Sequence, residues 1–251
     1  MNTRHRDILD LLRQTGEVSV DGLAAQFGVT LQTIRRDLTE LAEAGRVERV
    51  HGGAVLPSGV TNIGYEERRA LNQQAKRSIG ERCARLIPND CALFLGIGTT
   101  TEAVATALIH HRNLMVVTNN MTVASILGAN AECETIVTGG HLRAADGGLV
   151  GPLAVESLHR FKFDFGIIGC SALDADGDVM DFDLNEVLVS QEVLRRSRRK
   201  FLVCDHSKLT RSAPARIASL AELDIMVTDG SLPSALHSLC ADHNTQIDSA
   251  T

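Results

Sequence analysis

A chain of 251 residues with 44% hydrophobic and 22% charged side chains has the composition of an ordinary folded protein and is long enough for two domains. No apolar run approaches the roughly twenty residues that span a bilayer, and the opening MNTRHRDILD lacks a signal peptide's apolar core, so a cytoplasmic location without membrane contact is expected. The formal net charge of -6 excludes a uniformly basic nucleic-acid binder, while six widely spaced cysteines, with no Cys-x-x-Cys and no histidine cluster, argue for reduced buried thiols with neither metal nor cofactor.

The spacing of Ile8, Leu11 and Leu12 predicts a first helix over residues 1–14, stopped by Gly16. A second helix over 20–29 ends at Gly28, whose missing Cβ permits a left-handed turn. Thr30 is a fitting N-cap for a third helix over 30–41. There Leu31, Ile34, Leu38 and Leu41 form the packing face and leave Gln32, Thr33, Arg35 and Arg36 on others. Two short helices broken by a glycine turn make a helix-turn-helix. Its second helix enters the major groove, where Arg and Gln have the donor geometry to meet base edges and phosphates. The solvated face of a plain helical bundle would carry similar charges.

Residues 46–55, RVERVHGGAV, predict a two-stranded wing closed by a turn at His51-Gly52-Gly53. Residues 1–56 hold seven arginines and no lysine against eight acids, so any DNA surface must be local, with Arg35, Arg36, Arg46, Arg49 and His51 as its candidates. The pairing of TIRRDL with the trailing HGGA resembles the DNA-binding domain of the DeoR family of bacterial transcriptional repressors. That resemblance implies a winged helix-turn-helix in which Gln32, Thr33, Arg35 and Arg36 face DNA and His51 lies near the backbone. Thr30 and Arg49 complete the expected surface.

Residues 57–64, PSGVTNIG, read as a linker, and a continuous helix is expected over 65–86. The expected division is a DNA-binding domain at 1–56, a linker with the start of the connecting helix at 57–74, and an α/β effector-binding and oligomerisation domain at 75–251. From Cys91 onward the runs CALFLG, LMVVT, ETIVTG, FDFGIIG, KFLVCD and DIMVTD alternate with amphipathic stretches, which predicts a mostly parallel sheet covered by helices.

Ligands of such sheets bind beyond the carboxyl ends of the strands. At those ends stand Gly98, Thr99, Thr100 and Thr101, opening a helix whose first amides attract anions, then Asn119 and Asn120, Gly140 with Arg143 behind it, and Asp205 with Lys208. Each has an ordinary reading as a turn or cap. Together they gather small, hydroxyl, amide and cationic groups where a phosphorylated metabolite would sit. The segments GTTTEA, TNN, TGG, DGGLVGP, FDFGIIG and DHSK, in this order, are similar to the DeoR-family sensor domain, which is related in fold to ribose-5-phosphate isomerase and glucosamine-phosphate deaminase. The resemblance implies phosphate held by residues 98–101, with Asn119, Gly140, Arg143 and Lys208 nearby.

DGGLVGP, DFDLNEV and NNMTVA are most similar to the members that govern glycerol 3-phosphate use. They imply sn-glycerol 3-phosphate as the effector that releases operator DNA, although Gly96 departs from the acidic residue those members carry there. Another sugar phosphate, or an isomerase- or deaminase-like enzyme using Asp205, His206, Lys208 and Glu186, is the alternative. Asp174, Asp176, Asp178, Asp181 and Asp183 alternate like a cation loop but lack an EF-hand's flanking helices. His110-His111 suits a helix C-terminus. Because operators mirror protein symmetry, a homo-oligomer, dimer or tetramer, on double-stranded DNA is expected.

Overall fold

Ser19 and Thr30 start the two helices that organise the N-terminal head. In this computed structural model, which describes residues 3–56 and 62–250, the head runs α1 (Thr3–Thr15), β1 (Glu17–Ser19), α2 (Val20–Phe27), α3 (Leu31–Glu43), β2 (Glu48–Val50) and β3 (Gly53–Val55). Residues 57–61, most of the expected linker, lie outside the described residues. Ser19 Oγ accepts from the Gly22 amide at 3.0 Å and Thr30 Oγ1 from the Thr33 amide at 3.2 Å, each satisfying an amide that has no partner within its helix. Gly28 takes the left-handed conformation, φ 63°, and turns the chain between them.

Ile8, Leu12, Leu23, Ile34, Leu38 and Leu41 form the head's core. Leu31, expected on that packing face, is 41% exposed, because the first turn of α3 runs clear of the core. The wing sheet has three strands rather than two, since β1 pairs antiparallel with β3 as β2 does. A Cβ on residue 53 would stand 2.1 Å from the Val18 carbonyl oxygen, so this approach requires glycine. Buried Asp37 anchors α3 to α1: it accepts from the Arg4 guanidinium and lies 3.2 Å from His5 Nε2. Burial would raise its pKa, but Arg4 and His5 hold the carboxyl below its ordinary value.

The expected continuous helix over 65–86 is broken into α4 (Tyr65–Ala70) and α5 (Gln73–Arg85). Asn72, at φ 51°, makes the break, and its Nδ2 donates to Asp205 Oδ1 at 2.8 Å. Buried Lys76 donates to the carbonyls of Arg68 and Leu71 that the break releases. The break lays α4 against the next domain.

That domain continues β4 (Cys91–Leu95), α6 (Thr99–Ala107), β5 (Leu114–Thr118), α7 (Met121–Leu127), β6 (Cys133–Val137), β7 (His141–Arg143), β8 (Gly148–Val150), α8 (Pro152–Leu158), β9 (Phe163–Ile168), β10 (Ala172–Leu173) and β11 (Asp178–Asp181). It closes with α9 (Leu184–Arg196), β12 (Ser197–Val203), a 3-10 turn at His206–Thr210, β13 (Ala215–Ser219), β14 (Ile225–Thr228), α10 (Ser234–Asp242) and β15 (Gln246–Ser249). The central sheet is parallel, in the order β15-β14-β12-β9-β4-β5-β6. Each of the six apolar runs became one of its strands. Alternation along a strand divides its residues between two cores. Leu93 and Leu95 pack with α5, α6 and α7, while Phe94 faces α8, α9 and α10.

Three of the alternating aspartates have partners within the fold. Asp178 pairs with Arg216, Asp181 accepts from Ser171, and Asp183 caps α9. The six cysteines are free thiols, with Cys83, Cys204 and Cys240 buried.

Head and α/β domain also meet directly. Arg211, 8% exposed, donates to Glu48 of β2 at 3.4 Å and to Asn62 Oδ1 at 3.1 Å. The turn after α3 packs so closely on the 3-10 turn that a Cβ on Gly45 would lie 1.7 Å from Thr210 Oγ1.

Candidate functional site

Two surfaces carry chemistry, and the first is the outer face of α3. Gln32, Arg35 and Arg36 are exposed there and Thr33 half-buried, and Arg46 and His51 are exposed elsewhere on the head. Thr30 is held by its capping role, its hydroxyl 2.9 Å from that of Thr33. Arg36 pairs one helical turn along with Glu40 at 2.9 Å yet stays 80% exposed. Arg49 is less free than its neighbours. Its Nη1 donates to the Arg35 carbonyl at 3.2 Å and to Thr39 Oγ1 at 2.9 Å, so it braces the wing against α3. Burial, then the nearby Arg35 charge, lowers its pKa.

The second surface follows from topology. From β4 the chain runs outward through β5 and β6, then returns to place β9 on the other side of β4. Connections leave these adjacent strands in opposite directions, which leaves a narrow crevice of about 20 Å³ at their carboxyl ends. It is lined by Ile97, Gly98, Thr99 and Thr100 after β4, by Gly169, Cys170 and Ser171 after β9, and by Asp181, Glu186, Lys208 and Arg68. Gly98, at φ 142°, leads into α6, whose unpaired first amides favour negative charge. Lys208 brings an ammonium whose pKa burial lowers against the pull of Asp205.

Of the expected effector residues, Gly98, Thr99, Thr100 and Lys208 therefore meet in one cleft. The others support it. Thr101 Oγ1 is held between the carbonyls of Gly96 and Gly98, at 2.8 and 2.7 Å. Asn120 caps α7, accepting from the Thr122 and Val123 amides at 2.9 and 3.3 Å, and donates to Glu102. Asn119 donates to the Leu149 carbonyl at 3.1 Å, while its buried Oδ1 has no partner in the protein. Gly140 packs on the Val150 backbone. Arg143 is enclosed by carboxylates, donating to Asp146 at 2.9 and 2.7 Å, to Asp183 at 2.7 Å and to Glu186 at 2.6 Å. Asp205 starts the 3-10 turn and accepts from Asn72 and Ser207.

Residues 4–60 match the model of the DeoR-like helix-turn-helix domain, and residues 71–230 match that of the DeoR C terminal sensor domain. The chain belongs to the DeoR family. A glycerol-3-phosphate regulon repressor of Escherichia coli (strain K12) is 42% identical over 98% of this chain and 97% of its own length. One from Haemophilus influenzae is 41% identical over 97% and 95%. Among solved structures, ribose 5-phosphate isomerase A from Methanocaldococcus jannaschii aligns with a TM-score of 0.41 and 12% identity over 55% of each chain. As a DeoR-family transcriptional repressor, the protein has operator DNA and a small-molecule effector as its partners.

Several cleft residues of this DeoR-family chain escaped the sequence reading. Gly169, which ends the run FDFGIIG, and the Cys170 and Ser171 that follow it were within its reach, while Asp181 and Glu186 were named there only for a cation loop and for an enzyme. Arg68 carries no such signal. It lies in a charge-dense stretch, donates to Asp146 at 3.1 Å, and keeps a buried Nε without a hydrogen-bond partner in the protein.

Burial, reinforced by Asp181, pushes the Glu186 carboxyl up to about 8 against the opposing pull of Arg143. Between the ordinary glutamate value and that point, the folded chain keeps a proton that the unfolded chain releases, so this group lowers stability as pH rises. Glu186→Gln abolishes the titration. The fall in stability between about pH 6 and pH 8 should flatten, by up to ~1.4 kcal/mol per pH unit, in denaturant titrations of the two proteins. An unchanged slope would mean that Glu186 is ionised in the fold.

Proposed function

We propose that sn-glycerol 3-phosphate is the effector, that it widens and occupies the crevice between the ends of β4 and β9, and that its binding releases the head from operator DNA. One observation carries the reading: the crevice sets phosphate-binding and hydroxyl-binding chemistry side by side. The amides and hydroxyls of Thr99 and Thr100, with the cations of Lys208 and Arg68, suit a phosphate. Across from them Asp181 and Glu186 offer oxygens that accept from hydroxyls. A small phosphorylated polyol satisfies both. The names of the relatives that are 42% and 41% identical support this choice.

The head would place Gln32, Thr33, Arg35 and Arg36 in the major groove, with Arg49 bracing the wing and His51 near the backbone. A single such head buries little DNA, which favours a homo-oligomer, dimer or tetramer, in the cytoplasm. The site is read as a binding site without turnover. The crevice lining includes neither His206 nor Asp205, and the Asp205 carboxylate is engaged with Asn72 and Ser207.

Fluorescence anisotropy tests the reading, with DNA from upstream of the protein's own gene and its neighbours, titrated at fixed salt because phosphate contacts make affinity salt-dependent. Glycerol 3-phosphate should release the DNA where glycerol and inorganic phosphate do not. Release by ribose 5-phosphate or glucosamine 6-phosphate instead would move the assignment to another phosphate ester. Conversion of either sugar phosphate would turn the site into an enzyme's.

A further inference from the structure

The proposed effector cleft and the DNA head are joined by an unbroken line of side-chain hydrogen bonds. Asp181 and Ser171 both line the cleft, and Ser171 Oγ donates to Asp181 Oδ2 at 3.1 Å. Asn62 Nδ2 donates to Ser171 Oγ at 3.0 Å. The same amide accepts, through Oδ1, from Arg211 Nη2 at 3.1 Å, and Arg211 Nη2 also reaches Glu48 Oε1 at 3.4 Å on β2 of the wing sheet. Asp181 is buried, and the Arg211 and Glu48 side chains are 8% and 9% exposed, so these bonds lie where solvent screens them little.

We propose that the chain Asp181–Ser171–Asn62–Arg211–Glu48 transmits occupancy of the cleft to the head. The proposal rests on the reading of that cleft as the effector site. A hydroxyl of the ligand that donates to Asp181 competes with the Ser171 hydroxyl for the same oxygen. Ser171 then turns, Asn62 changes partner, and the amide that positions Arg211 against Glu48 is lost. An effector shifts a two-state protein only by its differential affinity for the two states. Here the docked seam fits the empty cleft and is weakened by the filled one. The contact of Gly45 with Thr210 lies on the same seam, two residues from Lys208, so undocking moves the turn that ends α3.

The test measures one ratio, the operator Kd at saturating glycerol 3-phosphate divided by the operator Kd without it. It uses the full-length parent, Asn62→Leu, and the paired variant Arg211→Met with Glu48→Gln, which removes both charges of that pair. Neither variant alters a residue that lines the cleft or the exposed face of α3. Each should raise the effector-free operator Kd toward the parent's value at saturating effector, so that the ratio falls at least about fivefold, while the operator Kd at saturating effector stays within about threefold of the parent. Linkage adds a second readout. Operator weakens effector binding to the parent by the same factor, and this reciprocal effect should shrink equally in both variants. A ratio retained within twofold by either variant overturns the relay. So does an operator Kd at saturating effector that moves more than threefold from the parent's, since the residues would then be structural. A parent released by none of glycerol 3-phosphate, ribose 5-phosphate and glucosamine 6-phosphate overturns the cleft reading and the relay together, whereas a responsive parent with responsive variants removes the relay alone.

Discussion

Arg35→Ala is expected to weaken operator binding about ten- to a hundredfold at fixed salt, with effector binding unchanged. Arg35 is exposed on α3, at the flank of the face that carries the fully buried Ile34 and Leu38. Its one described link to the wing, acceptance from Arg49 Nη1 at 3.2 Å, uses the backbone carbonyl, which alanine retains. The variant should therefore fold, and the loss measures contact with DNA. The form of the loss identifies the contact. A bidentate bond to guanine relaxes specificity at one base pair, whereas a phosphate contact weakens all sequences alike and lowers the salt slope by about one. Operator affinity equal to the parent's would remove Arg35 from the interface and leave Gln32, Arg36 and the wing to carry it.

The effector side has a matching expectation. Lys208→Met should weaken glycerol 3-phosphate binding about a hundredfold by calorimetry, because a partly desolvated cation facing a phosphate is worth several kcal/mol. Methionine keeps most of the volume, and burial already lowers the pKa of this ammonium. Asp205 would not be stranded. It keeps the Asn72 bond at 2.8 Å and both bonds from Ser207. Effector-free operator binding should stay near that of the parent. A loss of less than about threefold would place the phosphate elsewhere, and Arg68 with the α6 amides would be the next groups to vary.

What could be read in the sequence was whatever local periodicity or a cap encodes. Thr30 and Gly28 bound the recognition helix through interactions within four residues, and the six apolar runs were strands because burial on both faces leaves little else for them to be. The strand at 246–249 was invisible, since QIDS offers one apolar residue. The break at Asn72 was also hidden. A left-handed asparagine inside a helix-forming stretch is held by a side chain at position 205, and no window of sequence contains both.

The site divides along the same line. Strand-end reasoning reached Gly98, Thr99, Thr100 and Lys208, because position after a strand is a local property. It assigned Arg143 to the ligand, but the carboxylates that enclose this guanidinium come from positions 146, 183 and 186, the last two brought in by the fold. Arg68 was missed for the opposite reason. In YEERRA it looks like a solvated charge, and only the bend after it turns the side chain into the crevice.

The closeness of the two domains at Gly45 and Glu48 has a consequence for anyone building biosensors from this scaffold. Grafting a foreign DNA head onto residues 62–250, with the cut made in the linker, would treat the halves as beads on a string. A new head with any side chain at the position of Gly45 collides with Thr210, and one without a carboxylate at position 48 leaves the Arg211 guanidinium without that charge partner at a closed joint. A working chimera needs its hinge surface transplanted as a set, with positions 45 and 48 from one parent matched to 62, 210 and 211 from the same parent.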